Sequence, residues 1–206
     1  IFYLLNFRFK KKSHYLADKI IIPYIKIKEN IHYKLKSKVI ISYNQIDRYK
    51  KLPKRSLKAS NKIKLVFVGR LIKGKSVLNI IKAINQIENV SLTIFGDGPE
   101  RKKIEDFILL NKLKNRIFVK GFVNNQQILK NFKIFDAFVA HHKFYEFPKT
   151  IIEALINGLP IILNTNPSKE IFEFKNIEII WTDGTVNSYK KKIEGFKNET
   201  FDINFI

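Results

Sequence analysis

From about residue 62 onward, two spacings of hydrophobic residues alternate along the chain. Short apolar runs rich in β-branched and aromatic residues predict buried strands, and between them apolar residues recur every three or four positions, as on one face of a helix. The predicted strands are KIKLVFVG, VSLTIFG, RIFVKGF, FDAFVAH, LPIILN and IEIIW, and the predicted helices are SVLNIIKAINQI, PERKKIEDFILLNKL, NQQILKNFK and PKTIIEALING. This alternation, with short loops, predicts an α/β fold with a parallel sheet and helices on both faces.

The first 60 residues follow a different pattern. The runs YLADKIIIPY and SKVIISYN predict two short strands, and the segment from Tyr24 to about Lys36 predicts a helix between them. The stretch QIDRYKKLPKRSLKASNK that follows is polar and basic, contains a proline and lacks apolar periodicity, which is typical of a linker. We therefore expect the end of a first domain in residues 1–45, a linker over 46–61 and an α/β domain over 62–200.

The 206 residues carry a net charge of +21, and the excess is concentrated near the beginning of the chain. Residues 1–62 hold 17 of the 39 Lys and Arg residues but only 3 of the 18 Asp and Glu residues. Such a surplus is typical of proteins that bind nucleic acid or an anionic membrane surface. An AT-rich genome would produce it as well, because Lys, Ile, Asn, Phe and Tyr are abundant together.

Three features are absent from the sequence, and each limits the kind of protein that this chain can be. Cysteine is absent, which excludes disulfides and thiolate metal sites and favours an intracellular location. No apolar run approaches the roughly 20 residues of a membrane-spanning helix, and the lysines after the opening apolar stretch lie on the wrong side for a signal peptide. Methionine is absent even at position 1, so we expect a fragment of a longer protein.

Residues able to bind an anion follow the first predicted strand of the α/β domain. Gly69 ends this strand, Arg70 follows at once, and Lys75 lies just before a helix. Glycine allows a tight turn, arginine can bind a phosphate through two parallel hydrogen bonds, and a helix start adds unpaired N–H groups. The stretch is a candidate phosphate site, although solvated basic residues on an ordinary turn would give the same pattern.

Other strand ends carry weaker signals. The stretch FGDGPER is half of a dinucleotide-binding fingerprint, because it lacks the third glycine. A strand-to-helix turn is the preferred explanation, with Asp97 near the N-cap and Pro99 in the first helical position. Gly121 after the next strand indicates a turn.

A pair of histidines, His141 and His142, ends another predicted strand. Adjacent residues on a strand point to opposite faces, so this pair is a poor candidate for a metal site.

The stretch YEFPKTIIEALINGLPIIL holds two carboxylates seven positions apart, Glu146 and Glu153. Pro148 suits the first helical turn, which leaves the N–H groups of Lys149 and Thr150 able to face an anion. Glu153 lies about one and a half turns into this helix. The spacing fits a working pair of acids, and it fits two charges on an ordinary amphipathic helix equally well.

Taken together and in this order, these stretches resemble the nucleotide-sugar-binding domain of the GT-B-fold glycosyltransferases, in particular the large retaining family 4. The resemblance covers about residues 18–195 and is carried by ADKIIIPY, KVIISYNQID, FVGRLIKGKSV, LTIFGDGPERKKIE, VKGFV, FDAFVAHHKFYEFPKTIIEALINGLPII and the later Glu170. It implies two Rossmann-like domains with a cleft between them. This chain would hold the C-terminal, donor-binding half, preceded by a remnant of the N-terminal acceptor domain.

The resemblance also implies roles for individual residues. Arg70 and Lys75 match the family's Arg and Lys that neutralise the donor diphosphate, and Glu153 matches the acid that bonds the nucleotide ribose. Glu146 matches the first acid, near the donor sugar and the reacting centre, and is the candidate catalytic residue. The remaining expected donor-site residues are Gly69, Gly121, Pro148, Lys149 and Thr150. Because Arg, Lys and a helix N-terminus can stabilise the leaving diphosphate, no metal or other cofactor is expected.

The chain departs from the family pattern around the donor sugar. Six residues separate the two acids instead of seven, and the glycine after the first acid is missing. Either Glu146 still acts as the first acid, or Tyr145 occupies its position. The usual Pro-Ser before this loop is replaced by the two histidines, and the Gly-Gly turn before the late acid reads NPSKE.

The sequence therefore predicts a retaining glycosyltransferase of hexosyltransferase type, represented mainly by its donor-binding half. Its partners would be a UDP- or GDP-sugar donor and a glycan or lipid-linked acceptor. We expect it in the cytoplasm, with a basic first third able to dock on the anionic inner face of a membrane. The alternative is a non-catalytic nucleotide-sugar-binding module or a subunit that needs a partner. Nucleic-acid binding is disfavoured, because no recognition motif or aromatic stacking platform is present.

Overall fold

A computed structural model describes residues 15–22, 28, 31–42, 62–142, 148–165 and 179–196. The chain divides into two compact units, Ile1–Ile46 and Asp47–Ile206. Several predicted features lie outside the described residues: the linker over 46–61, Tyr145, Glu146, Glu170 and most of the helix that begins at Tyr24.

The first unit contains two short parallel strands, β1 (Ile20–Ile22) and β2 (Val39–Ile41), as the hydrophobic runs predict. The described end of the predicted helix is a 3-10 helix, Tyr33–Lys38, rather than an α-helix ending near Lys36. Leu35 is the buried residue of this 3-10 helix. The helix therefore lacks the continuous apolar face that would stabilise a longer α-helix.

The second unit is built on a six-stranded sheet in which every described pair of strands is parallel. Its strands are β3 (Ile63–Val68), β4 (Val90–Phe95), β5 (Ile117–Gly121), β6 (Ala137–Ala140), β7 (Ile161–Asn164) and β8 (Ile179–Thr182). Its helices are α1 (Val77–Asn85), α2 (Arg101–Leu110), α3 (Asn125–Asn131), α4 (Lys149–Ile156) and α5 (Val186–Gly195). The predicted α/β architecture is confirmed.

Helices cover both faces of this sheet and form two hydrophobic cores. On one face, residues of α1, α2 and α5 such as Ile80, Ile104 and Tyr189 are fully buried. On the other face, α3 and α4 contribute residues such as Ile128 and Ile151. Every residue of β6 and β7 is buried, which explains why their sequences are almost continuously apolar.

Two helices begin at other residues than predicted, and a third helix was not predicted. Helix α2 begins at Arg101, two residues after Pro99, and Pro148 is the N-cap of α4 rather than part of its first turn. We predicted no helix after β8, yet α5 is present there, with Thr185 as its N-cap. Thr185 Oγ1 accepts a hydrogen bond from the backbone N–H of Ser188 at 3.2 Å.

In the described part of the chain, every helix is too short or too polar to span a bilayer.

The strand order creates a crevice at the centre of the sheet. The order is β5-β4-β3-β6-β7-β8, so the chain adds strands on one side of β3 and then returns to add the rest on the other side. The connections that follow β3 and β6 therefore leave the sheet in opposite directions. In open α/β sheets, ligands bind at such a switch point, outside the carboxyl ends of the strands.

Glycines let the turns after β3, β4 and β5 stack closely. Gly69 N–H donates to Phe95 O at 3.0 Å, and Gly96 N–H donates to Gly121 O at 2.7 Å. A Cβ at Gly96 would lie 1.9 Å from the Gly69 carbonyl oxygen, far inside van der Waals contact, so a side chain cannot be accommodated there without moving the backbone.

We expect Gly96→Ala to lower the free energy of unfolding by about 2 kcal/mol or more, because the new methyl group must displace the turn after β3. Gly195→Ala is the matched control, since a Cβ at Gly195 has no heavy atom within 4 Å. This control should be neutral or slightly stabilising. Urea unfolding of both variants measures the difference, and equal stabilities would show that the close backbone contact does not constrain the fold.

Candidate functional site

The candidate site lies where β3 and β6 end side by side. Gly69 and Arg70 follow β3 directly, and the Arg70 side chain is exposed. A 3-10 turn, Lys73–Lys75, then leads into α1, and Lys75 is half-buried. The predicted order of strand, glycine, arginine and lysine before a helix is therefore present at the switch point of the sheet.

Lys75 reaches across the switch point to β6. Its Nζ lies 2.6 Å from Nδ1 of His142, which is buried with 5% of its surface exposed. The backbone of His142 is held in turn by Asn164 at the end of β7. His142 N–H donates to Asn164 Oδ1 at 2.7 Å, and Asn164 Nδ2 donates to His142 O at 2.9 Å.

The neighbouring His141 has different partners. The hydroxyl of Tyr189 on α5 donates to Ala140 O at 2.8 Å and lies 3.2 Å from His141 Nδ1. Since the hydroxyl hydrogen is engaged with Ala140, the His141 ring donates from Nδ1. Burial, together with the nearby His142 and Lys75, lowers the pKa of His141 to about 4. Burial also raises the pKa of Tyr189 above its ordinary value.

Helix α4 brings its first turn and Glu153 to the same edge of the sheet. Pro148 caps this helix, and its carbonyl accepts from Ile151 N–H at 3.1 Å. Among the described residues, no hydrogen bond involves the backbone N–H of Lys149 or Thr150, as expected for the first turn of a helix.

Glu153 is a buried carboxylate, with 3% of its surface exposed. Its Oε1 accepts from Asn125 Nδ2 at 3.0 Å and lies 3.7 Å from Lys149 Nζ. Its second oxygen, Oε2, has no partner among the residues that the structure describes. The first turn of α4 stabilises this negative charge through the helix dipole.

The half-fingerprint FGDG forms a strand-to-helix turn whose polar groups bond to one another. Asp97 accepts from Gly98 N–H and from Arg101, both at 2.7 Å, and these bonds lower the pKa of Asp97 below its ordinary value. Arg101 also bonds Glu105 at 2.8 Å. Gly121 has a φ of +68°, and a Cβ there would lie 3.2 Å from the Arg101 guanidinium. The turn explanation accounts for this stretch.

Three residues of the site were not found from the sequence. Asn164 and Tyr189 hold the two histidines, and Asn125 binds Glu153. Asn164 ends a strand at the carboxyl edge, so the rule that located the other candidates could have found it. Asn125 and Tyr189 carried no such signal, because they reach the site only through packing of their helices.

An open parallel sheet with cationic and acidic side chains at its switch point is the architecture of α/β domains that bind nucleotides. Residues 48–200 match the model of the family described as glycosyl transferases group 1. The chain belongs to this family.

Two curated relatives illustrate the match. A poly(glycerol-phosphate) alpha-glucosyltransferase of Bacillus subtilis is 32% identical over 107 residues, which are 50% of this chain and 16% of that protein. A 2-deoxystreptamine N-acetyl-D-glucosaminyltransferase of Niallia circulans is 28% identical over 131 residues, 60% of this chain and 33% of that protein. The chain thus spans about a sixth to a third of the length of these relatives.

Among solved structures, HepE of Anabaena, determined in complex with UDP and glucose, superposes with a TM-score of 0.71 at 19% identity. The match covers 89% of this chain and 54% of that one. The structural neighbours of this chain are GT-B glycosyltransferases, and the likeness shows that the α/β fold with a parallel six-stranded sheet is shared with them.

Lowering the pH should destabilise the fold through His141. Its pKa is about 4 in the fold and 6.5 ordinarily, so the unfolded chain binds more protons between these values. This contribution to stability is complete above pH 6.5 and is lost as the pH falls toward 4. Because the ring is only partly buried, we expect a loss of roughly 1 kcal/mol, well below the full value of the shift.

Urea unfolding across this pH range measures the effect. His141→Gln should flatten the pH dependence relative to the unmodified protein. Identical pH profiles for His141→Gln and the unmodified protein would contradict the assignment of this slope to His141.

Proposed function

We propose that this chain is the donor-binding half of a retaining glycosyltransferase that takes its sugar from a UDP- or GDP-sugar. The nucleoside diphosphate would bind at the switch point between β3 and β6. The acceptor would be a glycan or a lipid-linked saccharide. The observation that carries this proposal is the buried Glu153 carboxylate with an oxygen that has no partner among the described residues.

Glu153 suits the ribose of a nucleotide. Burying a carboxylate costs several kcal/mol unless its oxygens accept hydrogen bonds. Asn125 donates a hydrogen bond to Oε1 and the Lys149 ammonium lies near the same oxygen. The two hydroxyl groups of a ribose would donate hydrogen bonds to Oε2. The residues around Glu153 thus favour a ligand that brings hydroxyl groups to the first turn of α4.

The groups that would bind the diphosphate come from two segments. Lys75 and Arg70 supply positive charge after β3, and the N–H groups of Lys149 and Thr150 supply donors at the start of α4. A departing nucleoside diphosphate gains negative charge as the glycosidic bond breaks. Fixed cations and N–H donors at this position would stabilise that charge and so accelerate transfer. Glu146 remains the predicted acid near the donor sugar.

Calorimetric titration with UDP and with GDP tests the donor site. We expect the protein to bind at least one of the two nucleotides. Arg70→Met combined with Lys75→Met should weaken binding at least about tenfold, because each cation loses a charge-assisted hydrogen bond to the diphosphate. Glu153→Gln should weaken UDP or GDP binding by a similar factor, because a neutral amide accepts hydrogen bonds from the ribose less strongly than a carboxylate.

Lys102→Met is the matched control, since Lys102 is an exposed lysine of α2. It removes one positive charge without touching the candidate site. If the protein binds neither nucleotide, or if the double variant binds as tightly as Lys102→Met, the proposed donor site is wrong.

We also propose that the first unit contacts an anionic membrane surface, where a lipid-linked acceptor would be found. The 3-10 helix Tyr33–Lys38 supports this, because Tyr33 is 70% exposed and Lys34 and Lys36 beside it are exposed as well. Aromatic and basic residues together are typical of surfaces that meet lipid headgroups. The cytoplasmic leaflet carries the required negative charge.

Flotation with vesicles tests this contact. The protein should float with vesicles that contain phosphatidylserine and remain behind with neutral phosphatidylcholine vesicles. Lys34→Glu combined with Lys36→Glu should reduce flotation, because each lysine near the surface contributes about 1 kcal/mol. Equal flotation of the double variant would show that the 3-10 helix is not the contact.

A further inference from the structure

We propose that His142 is a positioning residue for donor binding: it holds the Lys75 ammonium at the switch point so that the cation meets the diphosphate. This inference rests on the proposed donor site and adds to it a residue that the family pattern does not supply. It starts from the distance of 2.6 Å between Lys75 Nζ and His142 Nδ1.

The chemistry of the two groups determines the state of the histidine ring. An ammonium group has only N–H donors, so Nδ1 must be the acceptor in this contact. The proton of the neutral ring therefore lies on Nε2. A protonated ring would present an N–H to the ammonium and add a second positive charge beside it, which would break the bond.

The histidine is held more firmly than the lysine. His142 is buried with 5% of its surface exposed, and two hydrogen bonds join its backbone to the buried side chain of Asn164. Lys75, in contrast, lies on a short turn and carries its charge on a flexible four-carbon chain. The rigid partner therefore determines where the flexible one places its charge.

A Lys75 side chain that is restrained before the nucleotide arrives should bind the nucleotide more tightly. A free lysine side chain loses rotamer freedom when it binds a ligand, and this loss reduces affinity. When His142 already restrains Lys75, less freedom remains to be lost. An ammonium group carries three N–H donors, so one lysine side chain is able to contact the His142 ring and a phosphate oxygen at the same time.

The contact makes donor binding sensitive to pH. Three described side chains lie near His142: Lys75 on the turn before α1, His141 directly after β6, and the uncharged Asn164 at the end of β7. Tyr189 on α5 contacts His141 rather than His142. Among the residues that the structure describes, the titratable neighbours of His142 are the bases Lys75 and His141, so a proton on His142 would add to their positive charge and release Lys75 from its position.

Titration with the nucleotide that the unmodified protein binds more tightly, UDP or GDP, tests this role at about pH 8 and about pH 5.5. His142→Asn keeps an acceptor, Oδ1, close to the position of Nδ1, whereas His142→Leu keeps the volume and removes the acceptor. We expect about a tenfold loss of affinity at pH 8 for His142→Leu and less than about a threefold loss for His142→Asn.

The same variants separate positioning from general structure. In a Lys75→Met background, His142→Leu should cause no further loss, because the lysine it positions is gone. Affinity of the unmodified protein should fall more between pH 8 and 5.5 than affinity of His142→Asn. Protonation of the nucleotide's own phosphate affects both proteins equally, so it cancels in this comparison. Thermal melts identify any variant that is unfolded.

Three results would overturn the inference while leaving the donor site in place: unchanged affinity of a folded His142→Leu, additive losses in the Lys75→Met background, or equal pH dependence of the unmodified protein and His142→Asn. Absence of binding to both nucleotides by the unmodified protein would overturn the donor site itself, and this inference with it. If His142→Leu does not fold, His142→Asn and its pH dependence decide the question.

Discussion

The hydrogen bonding of β3 to a strand on each side is the constraint on which the candidate site depends. Its register with β4 runs from Ile63 to Val68, and its shorter pairing with β6 joins Leu65 and Val66 to Ala137 and Phe138. Both neighbours are parallel to β3, so the segments that follow all three strands leave the sheet at one edge. This pairing brings Lys75 to His142, which lies 67 positions away in sequence.

In the candidate site, Glu153 and Lys75 each have a partner of fixed position. The buried Glu153 has Asn125 and the start of a helix, and Lys75 has the acceptor nitrogen of a neutral imidazole. Burial keeps His141 uncharged over most of the pH range. The edge of the sheet therefore holds the positive charge of Lys75 in a restrained position.

The strands of the sheet were predictable because a strand that is buried on both faces has an almost continuously apolar sequence. Strand β6 is apolar at every position and β7 at every position but its last, and the helices that cover them have one apolar face. Helix ends were less predictable. Pro99 can precede a helix as well as begin it, and the interpretation overlooked Thr185 as the cap of α5, although Val186, Tyr189 and Ile193 recur at helical spacing.

By itself the sequence determined that glycine, arginine and lysine follow β3 and that an acid-bearing helix follows β6, because these facts depend only on neighbours along the chain. Only the tertiary structure decided which of these groups meet. The contacts of Asn125 with Glu153 and of Tyr189 with His141 depend on how helices pack against the sheet. Such contacts join residues far apart in sequence, and no local spacing encodes the strand order that brings them together.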